Sequence, residues 1–150
     1  MDLILWRHAE AADGSPDHSR ILTVKGEKQA RQMAAWLKKR LPDDTRILVS
    51  PATRTLQTVM ALTNRYETTA EVGTGAAAVN VLAAAGWPDA GGTVLVVGHQ
   101  PTLGQVAALL LSGSEQDCSI KKGAVWWLSN RVRRDETQTV LRCVMAAEML

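Results

Sequence analysis

The chain predicts an α/β fold, a three-layer α/β/α sandwich with a mostly parallel central sheet and antiparallel edge strands. Three observations carry that prediction. Short apolar runs, Leu3-Ile4-Leu5-Trp6, Ile47-Leu48-Val49 and Val94-Leu95-Val96-Val97, read as buried strands bounded by turn signals. Between them lie stretches whose apolar residues recur at helical spacing. The last third changes character, with two strand-like runs flanking a charged segment.

The first strand, about Leu3–Trp6, leads into a polar loop from Glu10 to Arg20 that contains Asp13-Gly14-Ser15-Pro16. A helix follows over Lys25 to Arg40, with Ala30, Met33, Ala34 and Leu37 on one face and Thr23 as its cap. Arg46–Val49 is the second strand, and Ser50-Pro51 opens a helix running to about Tyr66. Proline suits a helix start because its missing N–H would have been unpaired there. Thr68–Val72 reads as a short strand, and Val79 to Ala85 as a helix stopped by Gly86-Trp87-Pro88. Thr93–Val97 is a strand, and Pro101 to Leu111 a helix. Ala124–Ser129 and Thr137–Met145 then form a hairpin around Val132-Arg133-Arg134-Asp135-Glu136. The connections are short, so residues 1–150 are expected to form one domain.

Composition excludes several classes. A net charge of +2 is too small to argue for nucleic acid, and the basic run Arg131 to Arg134 reads as a solvated turn. The apolar start is too short for a signal peptide or a membrane span, which predicts a cytoplasmic protein. Cys118 and Cys143 show no metal-ligand spacing and are expected as free thiols.

Three strand-to-helix junctions carry unusual residues: Arg7-His8 after the first strand, Arg54 after the second, and Gly98-His99 after a later one. In a parallel sheet these junctions share one edge, where α/β proteins bind ligands. Arg54 falls in the first turn or so of its helix, where the dipole disfavours a cation by about 0.3–1 kcal/mol. A bound anion reverses that sign, since N–H groups and guanidinium would both face negative charge. The pattern therefore predicts an anion site.

These motifs together, Arg-His-Ala-Glu at 7–10, Ser-Pro-Ala-Thr-Arg-Thr-Leu-Gln-Thr at 50–58 and Val-Gly-His-Gln-Pro at 97–101, resemble the histidine phosphatase superfamily, the phosphoglycerate mutase-like fold. The resemblance spans residues 3 to about 104. Short length and Ser19-Arg20-Ile21-Leu22-Thr23 resemble its compact SixA-type branch, the phosphohistidine phosphatases. The resemblance implies that His8 is the nucleophile, that Arg7 and Arg54 hold phosphate oxygens, and that His99 completes the pocket. It adds Arg20 as a substrate contact, with Ser50 and Gln100 as neighbours. Glu10 and Glu71 are the candidates for a general acid, although no motif singles out either one.

These roles suit phosphoryl transfer, where fixed positive groups and positioning supply most of the catalysis. No cofactor is expected. Nor is a metal: His18 lies in a loop away from His8 and His99, and zinc sites normally want three protein ligands. The uncertain acid suits a P–N substrate, because a protonated imidazole ring departs neutral. Small size leaves little chain for a lid, which favours a phosphorylated protein, such as a phosphorelay histidine domain, over a small molecule. A phosphatase for small phosphate esters is the alternative, and a non-catalytic phosphate-binding module the next.

Overall fold

The computed structural model describes all 150 residues. Six strands form one sheet: β1 (Asp2–Arg7), β2 (Arg46–Val49), β3 (Glu67–Thr68), β4 (Thr93–Gly98), β5 (Val125–Arg133) and β6 (Glu136–Met145). Their spatial order is β3-β2-β4-β1-β5-β6. The first four run parallel, and β5 and β6 add antiparallel strands at one edge. Four helices cover the sheet: α1 (Val24–Lys38), α2 (Thr53–Met60), α3 (Ala78–Ala85) and α4 (Thr102–Ser112). The expected three-layer α/β architecture is therefore the observed one.

Alternation along β1 builds both faces. Leu3 and Leu5 join a core with residues of α3 and α4, while Ile4 and Trp6 join a second core with α1 and α2. Each such side chain taken out of water contributes roughly 1.5–3 kcal/mol. The chain passes from β1 over β4 to β2 through α1, then returns from β3 to β4 through α3 on the opposite face. Because the two connections run in opposite directions on opposite faces, both crossovers have the same hand. No helix is long and apolar enough to cross a membrane.

Register aligns the strand ends that matter. Arg7 pairs with Gly98 and Val49 with Val97. Beyond the strands the ladder continues, with His8 N–H donating to Gly98 O and Ser50 N–H to Val97 O, each at 3.1 Å. Residues 8, 50 and 99 therefore leave adjacent strands at one level.

Several local expectations need correcting. α2 begins at Thr53 rather than Ser50-Pro51 and ends at Met60, well before Tyr66. Pro51 lies in a bend ahead of it, and Pro101 is the N-cap residue of α4 rather than its first helical residue. Only Glu67–Thr68 is strand; Ala70–Val72 is a single 3-10 turn, because β2 offers just two residues for pairing there. Thr23 caps α1 as expected, its hydroxyl oxygen accepting from Gly26 N–H at 2.9 Å. Gly26 is there for proximity: a Cβ on it would lie 1.9 Å from Glu10 O. The hairpin is longer than its sequence suggested and turns at Arg134 and Asp135, both with positive φ.

Candidate active site

Backbone bonds hold His8 firmly. Its N–H is tied to Gly98, and its carbonyl accepts from Gly123 N–H at 3.0 Å. The next N–H, of Ala9, donates to Thr58 Oγ1 at 3.0 Å, joining this loop to α2. The His8 ring lies 2.7 Å through Nδ1 from Ala9 O. A carbonyl only accepts, so Nδ1 carries the proton and Nε2 keeps its lone pair.

His99 stands beside it, with ring centroids 5.4 Å apart and planes at 55°. Its Nε2 is 2.7 Å from Ser50 Oγ and 3.5 Å from Thr74 Oγ1. Ser50 Oγ accepts Ala52 N–H, and His99 Nε2 is the acceptor available for its own proton. That places the His99 proton on Nδ1, a buried nitrogen with no protein partner.

Both rings are held neutral. Burial foremost, then the charges of Arg54, Arg7 and Arg20, push His8 down to about 4, against the bond to Ala9 O. Burial and then Arg54 push His99 down to about 3, with Asp17 acting in the opposite direction. A nucleophilic imidazole needs this state.

The arginines close the set. Arg54, only 4% exposed, donates from Nη1 to Asp17 O at 2.9 Å and from Nη2 to Asp17 Oδ2 at 3.1 Å. Arg7 donates from Nη1 to Ile120 O at 2.7 Å. Each keeps its Nε buried without a partner. Buried polar atoms are nearly always satisfied, yet three of the four unpartnered ones in this chain are Arg7 Nε, Arg54 Nε and His99 Nδ1. A lone pair and three donors of this kind suit a tetrahedral oxyanion.

Arg20 joins this group through Asp17, donating from Nη1 to Oδ1 at 3.1 Å and from Nε to Ala12 O at 2.9 Å. The two carboxylates expected as acids are placed differently. Glu10 accepts from Thr23 Oγ1 at 3.2 Å and lies 3.7 Å from Lys25 Nζ, at the start of α1. Glu71 is exposed, and neither acid hydrogen-bonds to His8 or His99. Gln100 has a structural task instead: it donates to Cys118 O and accepts from Gly104 N–H, each at 2.7 Å. A Cβ on Gly104 would lie 1.8 Å from Cys118 O, so glycine permits that contact.

A hollow of about 430 Å³ adjoins His99, lined by His18, Ser50, Pro51, Ala52, Ala70, Gly73 and Thr74. His18, set aside from sequence as a loop residue, thus borders the site. Asp17 and Thr74 went unnoticed in the sequence. The spacing of Asp17 from Arg20, three residues, was the signal for the first; nothing marked the second.

Sequence and structural comparisons place this chain in a family. The model of the histidine phosphatase superfamily (branch 1) matches residues 3–75. An uncharacterized protein of Mycobacterium tuberculosis is 37% identical over 121 residues, covering 76% of this chain and 75% of that one. Phosphohistidine phosphatase SixA of Escherichia coli is 33% identical over 126 residues, covering 75% and 76%. The structure of the protein histidine phosphatase SixA complexed with tungstate aligns over 99% of both chains, with a TM-score of 0.80 at 25% identity. The chain belongs to the histidine phosphatase superfamily. Within it, similarity to SixA proteins makes this chain a phosphatase of the SixA type.

Proposed function

We propose that this phosphatase removes phosphoryl groups from phosphohistidine on a protein, through a covalent intermediate on His8. One observation carries the chemistry: a neutral imidazole with a free Nε2 lies beside three buried donors that lack protein acceptors.

In the first step Nε2 of His8 attacks phosphorus while the P–N bond of the substrate breaks. The bonding pair leaves with the substrate imidazole, which is neutral if its other nitrogen already holds a proton. Arg7, Arg54 and His99 Nδ1 donate to the equatorial oxygens, where charge accumulates. The His8 ring becomes cationic as it gains phosphorus, and Ala9 O, accepting from Nδ1–H, stabilises that charge. Water then attacks phosphorus, the bond to Nε2 breaks, phosphate departs, and the neutral imidazole is restored.

The choice of phosphohistidine rests on two supports. The relatives named for that activity cover three quarters or more of this chain. Neither Glu10 nor Glu71 hydrogen-bonds to His8 or His99, and the Asp17 carboxylate is held ionised by Arg20 and Arg54, so the site suits a leaving group that needs no strong acid. Ester oxygens leave as poor alkoxides and would require one.

Rapid quench of the protein mixed with a phosphohistidine-bearing protein should trap phosphate on His8. The variant His8→Ala should form no adduct and lose roughly 10³-fold or more in kcat. Faster turnover of sugar or nucleotide phosphates than of phosphohistidine would overturn the substrate assignment. Turnover of wild-type protein with no label on His8 would overturn the covalent route.

A further inference from the structure

Asp17 lies on the single 3-10 turn Asp17–Ser19, in a loop that sequence patterning left without a role. Its contacts are specific. The backbone carbonyl and Oδ2 each receive one terminal nitrogen of Arg54, while Oδ1 receives Nη1 of Arg20. One exposed acid thus joins two arginines from different parts of the chain, one of them almost fully buried.

A guanidinium offers two kinds of edge. Its end, between the terminal nitrogens, is the edge that Asp17 occupies on Arg54. Its side, made by Nε and the nearer terminal nitrogen, remains, and Nε there is buried and unpartnered. Arg7 repeats the arrangement, with a terminal nitrogen on Ile120 O and its Nε free. Both arginines are therefore anchored through their outer nitrogens to protein oxygens. Each presents the same kind of edge for a ligand.

We propose that Asp17 is a positioning residue, clamping Arg54 end-on so that its Nε edge is aimed at the phosphoryl oxygens before substrate arrives. This rests on the phosphoryl-transfer reading of the site. It does not depend on which phosphorylated molecule is the substrate. Arginine carries several rotatable bonds, and a loosely held guanidinium would have to be ordered during the reaction. Arg20, held on the other carboxylate oxygen and on Ala12 O, keeps Asp17 in place from the solvent side. A carboxylate so near an anion site also carries a cost, because it repels the ligand. The clamp predicts that alignment outweighs this repulsion.

Tungstate, a tetrahedral oxyanion, separates the clamp from the substrate question. Binding should weaken several-fold in Asp17→Asn and in Asp17→Ala, measured by calorimetry at constant ionic strength. With whichever phosphorylated substrate the wild-type protein turns over, kcat should fall roughly 10- to 100-fold. The loss should fall more on kcat than on KM, and thermal stability should change little. The Arg54 Nε–H resonance should broaden in both variants. In an Arg54→Ala background the Asp17 substitutions should have no further effect on binding. Unchanged or tighter tungstate binding in Asp17→Asn would overturn the clamp, tighter binding marking the acid as a competitor of the anion. Absence of phosphohistidine turnover with intact tungstate binding would sink the substrate assignment and leave the clamp standing.

Discussion

At the start of β1, Asp2 accepts from Trp127 Nε1 at 2.9 Å, from Ser129 Oγ and from Arg142; at its end, Arg7 and His8 enter a cluster rich in donors and poor in acceptors. Both ends hold charge against apolar surroundings, but they resolve it differently. Burial opposes ionisation of Asp2, and bonds from Ser129 and Trp127 together with Arg142 more than offset it, so its carboxyl titrates below the usual range. Arg142 and Arg40 lie over the faces of Trp127 and Trp36, and these two rings meet edge to face. That end also borders a hollow of about 460 Å³, slightly larger than the one beside His99. Hollow size is therefore no guide to the chemistry. Unmatched donors are: one end has its carboxylate satisfied by protein donors, and the other keeps buried donors that an anion would satisfy.

The sharpest way to break this contrast is to truncate Arg54. Arg54→Ala should remove about 2–5 kcal/mol of transition-state stabilisation, read as kcat/KM. An unchanged kcat/KM would remove the guanidinium from the reaction.

A second measurement exploits the two depressed histidines. Both fold in the neutral form, with folded values of about 4 and 3 below the ordinary 6.5. As pH falls below 6.5 the unfolded chain takes up protons first, so stability is present above that value and declines toward the folded pKa values. The slope should approach 1.4 kcal/mol per pH unit for each histidine, or about twice that for the pair. Urea midpoints between pH 7 and 5 would reveal it, and His8→Gln should remove about half. A flat profile would mean that the rings are not held neutral. The smallest effect belongs to the opposite end: Asp2→Asn should cost about 1–2 kcal/mol in unfolding free energy while kcat stays at the wild-type value. A drop in kcat would show that the two ends of the strand are coupled.

Much of this is legible in the sequence alone. Buried strands declare themselves as apolar runs, so β1, β2 and β4 and their common edge followed from pattern, and with them the grouping of residues 7, 8, 54 and 99. Helix bounds were less legible. Pro51 reads equally well as a helix start or as a bend before it, and only tertiary contacts decide. Glu10 and Glu71 illustrate a different limit: no motif singles out an acid in the sequence, and neither carboxylate hydrogen-bonds to His8 or His99. Asp17 was hidden because its role is relational. Its meaning depends on Arg54, 37 residues away, and no local pattern encodes that encounter.

The short bond from His8 to the carbonyl of Ala9 has a regiochemical outcome. An imidazole can in principle carry a phosphoryl group on either nitrogen, giving two regioisomers that differ in stability and phosphorus chemical shift. Here a peptide oxygen reserves Nδ1, so a phosphoryl group carried by His8, as the proposed route requires, would sit on Nε2, and the backbone of the residue next door would determine which isomer forms.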